Sequence, residues 1–153
     1  IRKKYKPMYL DKSMKDFRRV NVAIIILLNE RKEVLLQKKD LGYPWFPGKW
    51  CLFGGGIERG EGAEETLKRE IREELGDIGV KDLKFFKLTS YRDEIETKIR
   101  EGEQHVFVGI YEGPISKLRI KEGCGFAFFS IEELNDQFVV DHDLEIIKDF
   151  YSS

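Results

Sequence analysis

GGIERGEGAEETLKREIREELG, residues 55–76, is the stretch whose reading decides the fold. Five of the chain's fourteen glycines fall within residues 54–62, a density that lets the backbone bend sharply and approach a ligand or another backbone segment closely. Ala63, Leu67, Ile71 and Leu75 then recur at four-residue steps and predict a helix over Ala63–Leu75, with Gly76 as its stop. One apolar stripe on an otherwise charged helix needs a sheet to cover it. At 100° per residue Glu70, Glu73 and Glu74 occupy an arc of roughly 100°, so three carboxylates can converge beside the helix. Three like charges so close repel unless a cation sits among them. Ligation by oxygen alone suits Mg²⁺ or Mn²⁺ rather than zinc. Taken by itself, such a run is more often a solvated helix face.

Working outward, the β-branched and aliphatic run from Val20 to Leu28 predicts a strand buried on both faces, and Glu33 to Lys38 a second after a polar turn. Residues 40–49, DLGYPWFPGK, form a loop too rich in aromatics to serve only as a connector. Short strands are expected at Trp50 to Phe53, Leu83 to Tyr91, His105 to Tyr111 and Phe126 to Phe129. Ser130 with Glu133 makes a capping box, and Leu144, Ile147 and Tyr151 mark one face of a terminal helix. Strands and helices mixed in this order predict an α/β or α+β layered sandwich with a mixed sheet.

The chain has 153 residues, 41% of them hydrophobic and 36% charged, which suits one globular domain and excludes the disordered, collagen-like and membrane classes. No repeat or linker divides it. Residues 1–19 carry eight Lys/Arg against Asp11 and Asp16, a net of +6, which leaves −7 for residues 20–153. Residues 1–19 are accordingly read as a basic N-terminal arm, solvated and partly flexible, and 20–153 as a single domain. The net charge of −1 argues against a general polyanion binder, while the arm leaves RNA contact open. The longest apolar run, Val22 to Leu28, is too short to span a bilayer, and no signal-peptide pattern is present, so a cytoplasmic protein without membrane partners is expected, as a monomer or homodimer. Cys51 and Cys124 are read as small buried side chains.

The full spacing carries more than the helix alone. Gly55, five residues, Glu61, seven residues, Arg69-Glu70-Ile71, one residue, Glu73-Glu74, one residue, Gly76: at all eight specified positions this resembles the Nudix box, and on it the chain is identified as a member of the Nudix hydrolase family. The box covers residues 55–77, and weaker resemblance extends over 20–150. Asp77 departs from the pattern, where an aliphatic residue is usual and Ile78 can take the packing role. Phe53 departs likewise, where the family commonly has proline. The resemblance implies a Nudix-type α/β/α sandwich with a mixed β-sheet. It also implies divalent-cation-dependent hydrolysis of a nucleoside diphosphate linked to another group, by water attack on phosphorus. By the same resemblance Glu70, Glu73 and Glu74 hold metal, the Gly55 carbonyl adds a ligand, and Glu61 pairs with Arg69 to fix loop and helix. Glu70 is either a third ligand or the group that takes the water's proton. Glu122 matches the place of an acidic metal-site residue in MutT-like members, with Glu101 and Glu103 as competitors.

Substrate signals lie outside the box. Tyr43, Trp45 and Phe46 could stack on a base, and Lys38 and Lys39 could meet phosphates. Asp141, His142 and Asp143 stand where MutT-like enzymes place a polar side chain that reads the base, though His142 reads more readily as a surface histidine or a helix-start residue. His105 is read as structural, and no Ser/His/Asp or Cys/His arrangement supports covalent catalysis. The family's ADP-ribose, diadenosine polyphosphate, coenzyme A and NADH signatures are absent. Elimination leaves a MutT-like pyrophosphohydrolase that cleaves a nucleotide substrate, a (d)NTP, to monophosphate and pyrophosphate. The alternatives are a nucleotide-sugar or dinucleoside polyphosphate hydrolase, or a non-catalytic nucleotide- or RNA-binding module. Against the last stands the retention of every box carboxylate.

Overall fold

A computed structural model describes residues 16–120 and 125–153 of the chain. Its elements are β1 (Asp16–Arg19), β2 (Val22–Leu28), β3 (Val34–Lys38), β4 (Trp50–Cys51), β5 (Phe53–Gly56), α1 (Ala63–Leu75), β6 (Lys81–Ile95), β7 (Lys98–Ile110), β8 (Gly125–Phe129) and α2 (Asp141–Ser152). The helix over Ala63–Leu75 has the bounds its periodicity predicts, and Gly76, at φ 95°, ends it in a conformation that suits glycine. Among the described residues no helix is long and apolar enough to cross a membrane.

All eight strands join one mixed sheet. β7 is its spine. β6 lies antiparallel along one edge of β7, from Ile95 opposite Lys98 to Lys81 opposite Ile110. The other edge is shared by β1 and β2, both parallel to β7, which pair with residues 98–101 and 104–110. β2 then takes β5 antiparallel, with Val22 to Ile25 opposite Gly56 to Phe53, and meets β3 at Leu28 opposite Val34. β3 is flanked by β8 and by the two-residue β4.

Alternation along β2 explains the layers, because successive side chains of a strand point to opposite faces. Ala23, Ile25 and Leu27 pack with Leu35, Phe53 and Phe107 under Leu67, Ile71 and Leu75 of α1. Ile24, Ile26 and Leu28 pack with Val34, Leu36, Val106 and Val108 under Leu144, Ile146 and Ile147 of α2. The result is helix, mixed sheet, helix, as expected. Burying each such aliphatic side chain contributes about 1.5–3 kcal/mol, so the two cores fix α1 and α2 on opposite faces.

Several boundaries differ from expectation for local reasons. The strand from Trp50 breaks at Leu52, whose backbone N–H donates to Asp143 Oδ2 at 2.9 Å instead of joining the ladder. Residues 16–19, read from their charge as part of the basic arm, form β1, and Val20 N–H continues the attachment by donating to the Glu101 carbonyl at 2.8 Å. β6 and β7 both run further than their apolar alternation suggests, because their tips pair charged side chains: Arg92 with Glu101 and Asp93 with Arg100, each at 2.9 Å. The Ser130–Glu133 capping box is present and opens a single 3₁₀ turn over Ile131–Glu133.

Candidate active site

The loop over residues 57–62 carries Glu61 to the guanidinium of Arg69. Arg69 Nε and Nη2 donate to the two Glu61 carboxylate oxygens at 2.8 and 3.0 Å, the fork geometry that makes arginine a rigid clamp. Glu61 Oε1 also accepts from Thr66 Oγ1 at 2.9 Å and from the Glu58 N–H at 3.1 Å. The Arg69 guanidinium, with these donors, pulls the Glu61 carboxyl down to about 2, so it stays ionised. Arg69 Nη2 reaches the Gly56 carbonyl at 3.3 Å, and Nη1 donates to Glu70 Oε1 at 3.0 Å and Glu73 Oε2 at 3.3 Å. One arginine thus ties the glycine loop, the helix and two of the three candidate carboxylates together.

Glu70 sits directly over Gly55. A Cβ built at Gly55 would lie 2.4 Å from the Glu70 carboxyl carbon, so the missing side chain is the space that this carboxylate occupies. Glu73 is largely exposed, and Glu74 is buried, accepting from Gln37 Nε2 at 3.2 Å. Among the described residues no three carboxylate, imidazole or thiol side chains are already gathered around one point, since Glu70 and Glu73 are turned to Arg69.

On the other face of the same glycine strand lies a cleft of about 420 Å³, within the usual ~300–1,000 Å³ of small-molecule sites. Gly54 to Gly56 form part of its floor, and Lys39, Tyr43, Trp45, Phe46, His142 and Asp143 line it. Lys38 is not among the lining residues. Lys39 Nζ stands 4.4 Å from the Tyr43 ring centroid. Cys51 also faces the cleft; burial, with the Asp143 carboxylate beside it, pushes its thiol up to about 12, so it behaves as a small neutral side chain. Glu101 and Glu103 lie on β7 away from the cleft, and Glu101 is engaged by Arg92. Glu122 and Cys124 lie outside the described residues.

His142 and Asp143 belong to a network that the sequence reading did not find. His142 Nδ1 lies 3.0 Å from Asp143 Oδ1, and Nε2 faces Asp93 Oδ1 at 3.3 Å, an ion-pair contact whose angle falls short of a hydrogen bond. Burial opposes the charged imidazole, but the Asp143 and Asp93 carboxylates outweigh it and raise its pKa to about 10. Burial likewise opposes the ionised Asp93, but His142 and Arg100 hold its carboxyl below the usual range. Both Asp143 oxygens are thereby engaged, one by His142 and one by the Leu52 N–H. Arg100 donates to Asp93 and lies 4.5 Å from the Trp45 ring centroid and 5.6 Å from that of Tyr91. Gln104, 3.2 Å from His142 Nδ1 through Nε2, completes the wall and accepts from Thr89 at 3.0 Å. Thr89, Tyr91 and Asp93 stand opposite Gln104, Gly102 and Arg100 across β6 and β7, a register that the sequence does not display.

The NUDIX domain family matches residues 17–150. Nucleoside triphosphatase NudI of Salmonella arizonae, and the same protein of Salmonella newport, are 46% identical to this chain over 67 residues, which is 43% of the chain and 46% of the relative. The match therefore spans under half the length of these curated relatives. Among solved structures, the MutT protein from Methanosarcina mazei Go1 superposes with a TM-score of 0.69 at 19% identity, covering 90% of this chain and 95% of that one. The MutT protein from Bacillus halodurans gives 0.64 at 28% identity, covering 84% and 80%. An Ap4A hydrolase from C. elegans gives 0.61 at 16%, covering 88% and 98%, a likeness of fold alone. With the box glycine, the Glu61–Arg69 clamp and the three helix carboxylates set in a helix–sheet–helix sandwich, this chain belongs to the Nudix family, with a MutT-like fold.

Proposed function

We propose that the protein is a divalent-cation-dependent hydrolase of nucleoside diphosphates linked to a second group, acting on a (d)NTP to release the monophosphate and pyrophosphate. The carrying observation is the Arg69 clamp, which holds Glu70 over the glycine strand and ties Glu73 to the same guanidinium, while Gly54 to Gly56 also floor a nucleotide-sized cleft. Among the described residues β5 pairs with no strand but β2, so no further strand stands between the cleft and the carboxylates at Gly55.

The donors fit a hard cation. Glu70, Glu73, Glu74 and the Gly55 carbonyl offer only oxygen, and Glu70 and Glu73 already require a positive charge, which Arg69 supplies. A bound Mg²⁺ or Mn²⁺ supplies charge neutralisation for phosphoryl transfer and a lowered pKa for the attacking water. Arg69 keeps the carboxylates oriented, and Glu61, ionised far below neutral pH, keeps Arg69 in place. Glu70 Oε1 is occupied by Arg69, which leaves Oε2 to accept a proton. Trp45 and Phe46 supply apolar faces for a base, and Lys39 a charge for the phosphates. Glu122 is proposed as a further acidic group of this site, acting in the cytoplasm with the rest of the chain.

The test is a panel of canonical and oxidised (d)NTPs, nucleotide sugars, ADP-ribose and diadenosine polyphosphates, incubated with Mg²⁺ or Mn²⁺ and resolved by anion exchange. Monophosphate plus pyrophosphate from a triphosphate, reduced about a hundredfold or more in Glu73→Gln, is the expected result. Equal turnover by Glu73→Gln would remove the metal assignment, and products of another substrate class would replace the (d)NTP.

A further inference from the structure

Strand β1 brings to the cleft a cation that hydrolysis does not use. Arg18 stands opposite Arg100 in the β1–β7 ladder, and Arg100 stands opposite Asp93 on β6, so a row of Arg18, Arg100 and Asp93 crosses the sheet on the cleft side. Like charges directly opposite each other are unfavourable. The neighbouring charges balance without Arg18. Arg100 is held by Asp93 and stacked on Trp45, and the His142 imidazolium lies between Asp93 and Asp143: two cations against two carboxylates. Asp16, two residues before Arg18 on the same face, stands opposite Lys98. Arg18 is therefore the uncompensated charge; it lines the cleft, is exposed, and has no hydrogen-bond or ion-pair partner among the described residues.

Its position separates it from the hydrolytic carboxylates. Arg18 lies four residues from Val22, the residue that pairs with Gly56, a span of roughly 13 Å at strand rise. Gly54 and Arg18 thus stand toward opposite ends of the one cleft that both line. Trp45, on Arg100, stands at the Arg18 end of the cleft, where a stacked base would leave its sugar beside the guanidinium. Guanidinium suits a phosphate ester, which it grips through two parallel N–H bonds.

Resting on the nucleotide reading above, the geometry points to a second phosphate subsite at the β1 end of the cleft, in which Arg18, backed by Arg100 stacked on Trp45, takes a phosphate ester carried on the sugar of the substrate. That ester is either the 3′-phosphate of a mononucleotide or the first phosphodiester of an oligonucleotide. The second source accords with the charge of the segment that leads into β1, since residues 1–15 hold six Lys/Arg against Asp11.

The test reads binding and needs no turnover. The full chain is titrated calorimetrically, with Mg²⁺ present, against the nucleoside 5′-monophosphates, the corresponding 3′,5′-bisphosphates and 5′-phosphorylated dinucleotides. One charge-assisted contact at Arg18 makes the bisphosphate bind about tenfold tighter than the monophosphate. That ratio falls toward 1 in Arg18→Gln and is retained in large part in Arg18→Lys. A gain with bisphosphate and dinucleotide alike assigns the subsite to the sugar phosphate itself; a gain with the dinucleotide alone assigns it to an oligonucleotide. Equal Kd values for all three ligands in the wild type, or an unchanged ratio in Arg18→Gln, overturns the subsite. The hydrolytic reading fails separately, by a silent substrate panel with the ratio intact.

Discussion

Gly54 and Gly55 are neighbours in one strand, and alanine at each meets a different obstacle. At Gly54 the backbone adopts φ 147°, and an added Cβ would lie 2.1 Å from the Ala23 carbonyl oxygen. Neither that carbonyl nor the left-handed φ can yield while β2 and β5 stay paired, so Gly54→Ala costs about 3–5 kcal/mol and is read as a large fall in urea midpoint. At Gly55 the obstacle is the end of the flexible Glu70 side chain. Gly55→Ala leaves stability within about 1 kcal/mol of the wild type but evicts the carboxylate, so turnover falls at least about tenfold while the melting curve hardly moves. Equal activity in Gly55→Ala would show that Glu70 does not act from where it rests. The sequence makes close approach at this strand legible through glycine density. Which glycine faces backbone and which faces a carboxylate depends on the register of β2 against β5, which no local pattern encodes.

Helix α2 is fastened to the rest of the molecule by the His142–Asp143 pair as well as by its apolar face. Asp143 reaches the Leu52 amide at the β4–β5 break, and His142 reaches Asp93 on β6, so three elements converge on one imidazolium. Its pKa is raised from about 6.5 in the unfolded chain to about 10 in the fold. A raised pKa contributes stability that is complete below the unfolded value and is lost as pH rises through the folded one. The urea midpoint should therefore decline between about pH 6.5 and 10, and His142→Gln, which cannot titrate at that position, should be less stable at pH 6.5 and decline less. Cys51, Tyr91, Tyr151 and Lys81, also raised, remain in both proteins, so the difference between them isolates His142. An identical slope in the variant would show that the imidazole is neutral. This clasp was only half legible. The sequence singled out His142 and Asp143 as polar residues at a helix start, but their partner Asp93 lies on a strand tip whose charged, non-alternating composition conceals it. The same composition hid β1, since Phe17 between charged residues reads as leader, and only the edge of β7 makes it a strand.

For the whole molecule, the helix–sheet–helix sandwich turns α1 into a rigid carrier. Leu67, Ile71 and Leu75 are buried against β2, β5 and β7, which fixes the backbone that carries Glu70, Glu73 and Glu74 on one side of α1 in the folded chain only. Apolar periodicity at 3.6 and 2.0 residues made these layers legible, because each core is built from a repeating face. The cleft was less legible, because it is assembled from β1, β2, the 40–49 loop, β5, β6, β7 and α2, segments that come together only once the sheet has formed. From the same architecture follows a linkage. A cation that the three carboxylates bind when folded, and not when dispersed, stabilises the native state by RT ln(1 + [L]/Kd). At a concentration ten times Kd this is about 1.4 kcal/mol, or roughly 3–5 °C in Tm for a chain of this size. Mg²⁺ should raise the wild-type Tm by that amount with reversal by EDTA, and the rise should vanish in the Glu70→Gln/Glu73→Gln double variant. The double variant in the absence of cation should melt no lower than the wild type by much, since it loses Arg69 contacts but also relieves carboxylate repulsion. A Tm rise of equal size in the double variant would place the cation elsewhere, and no rise at any concentration would show that Arg69 alone satisfies the charge.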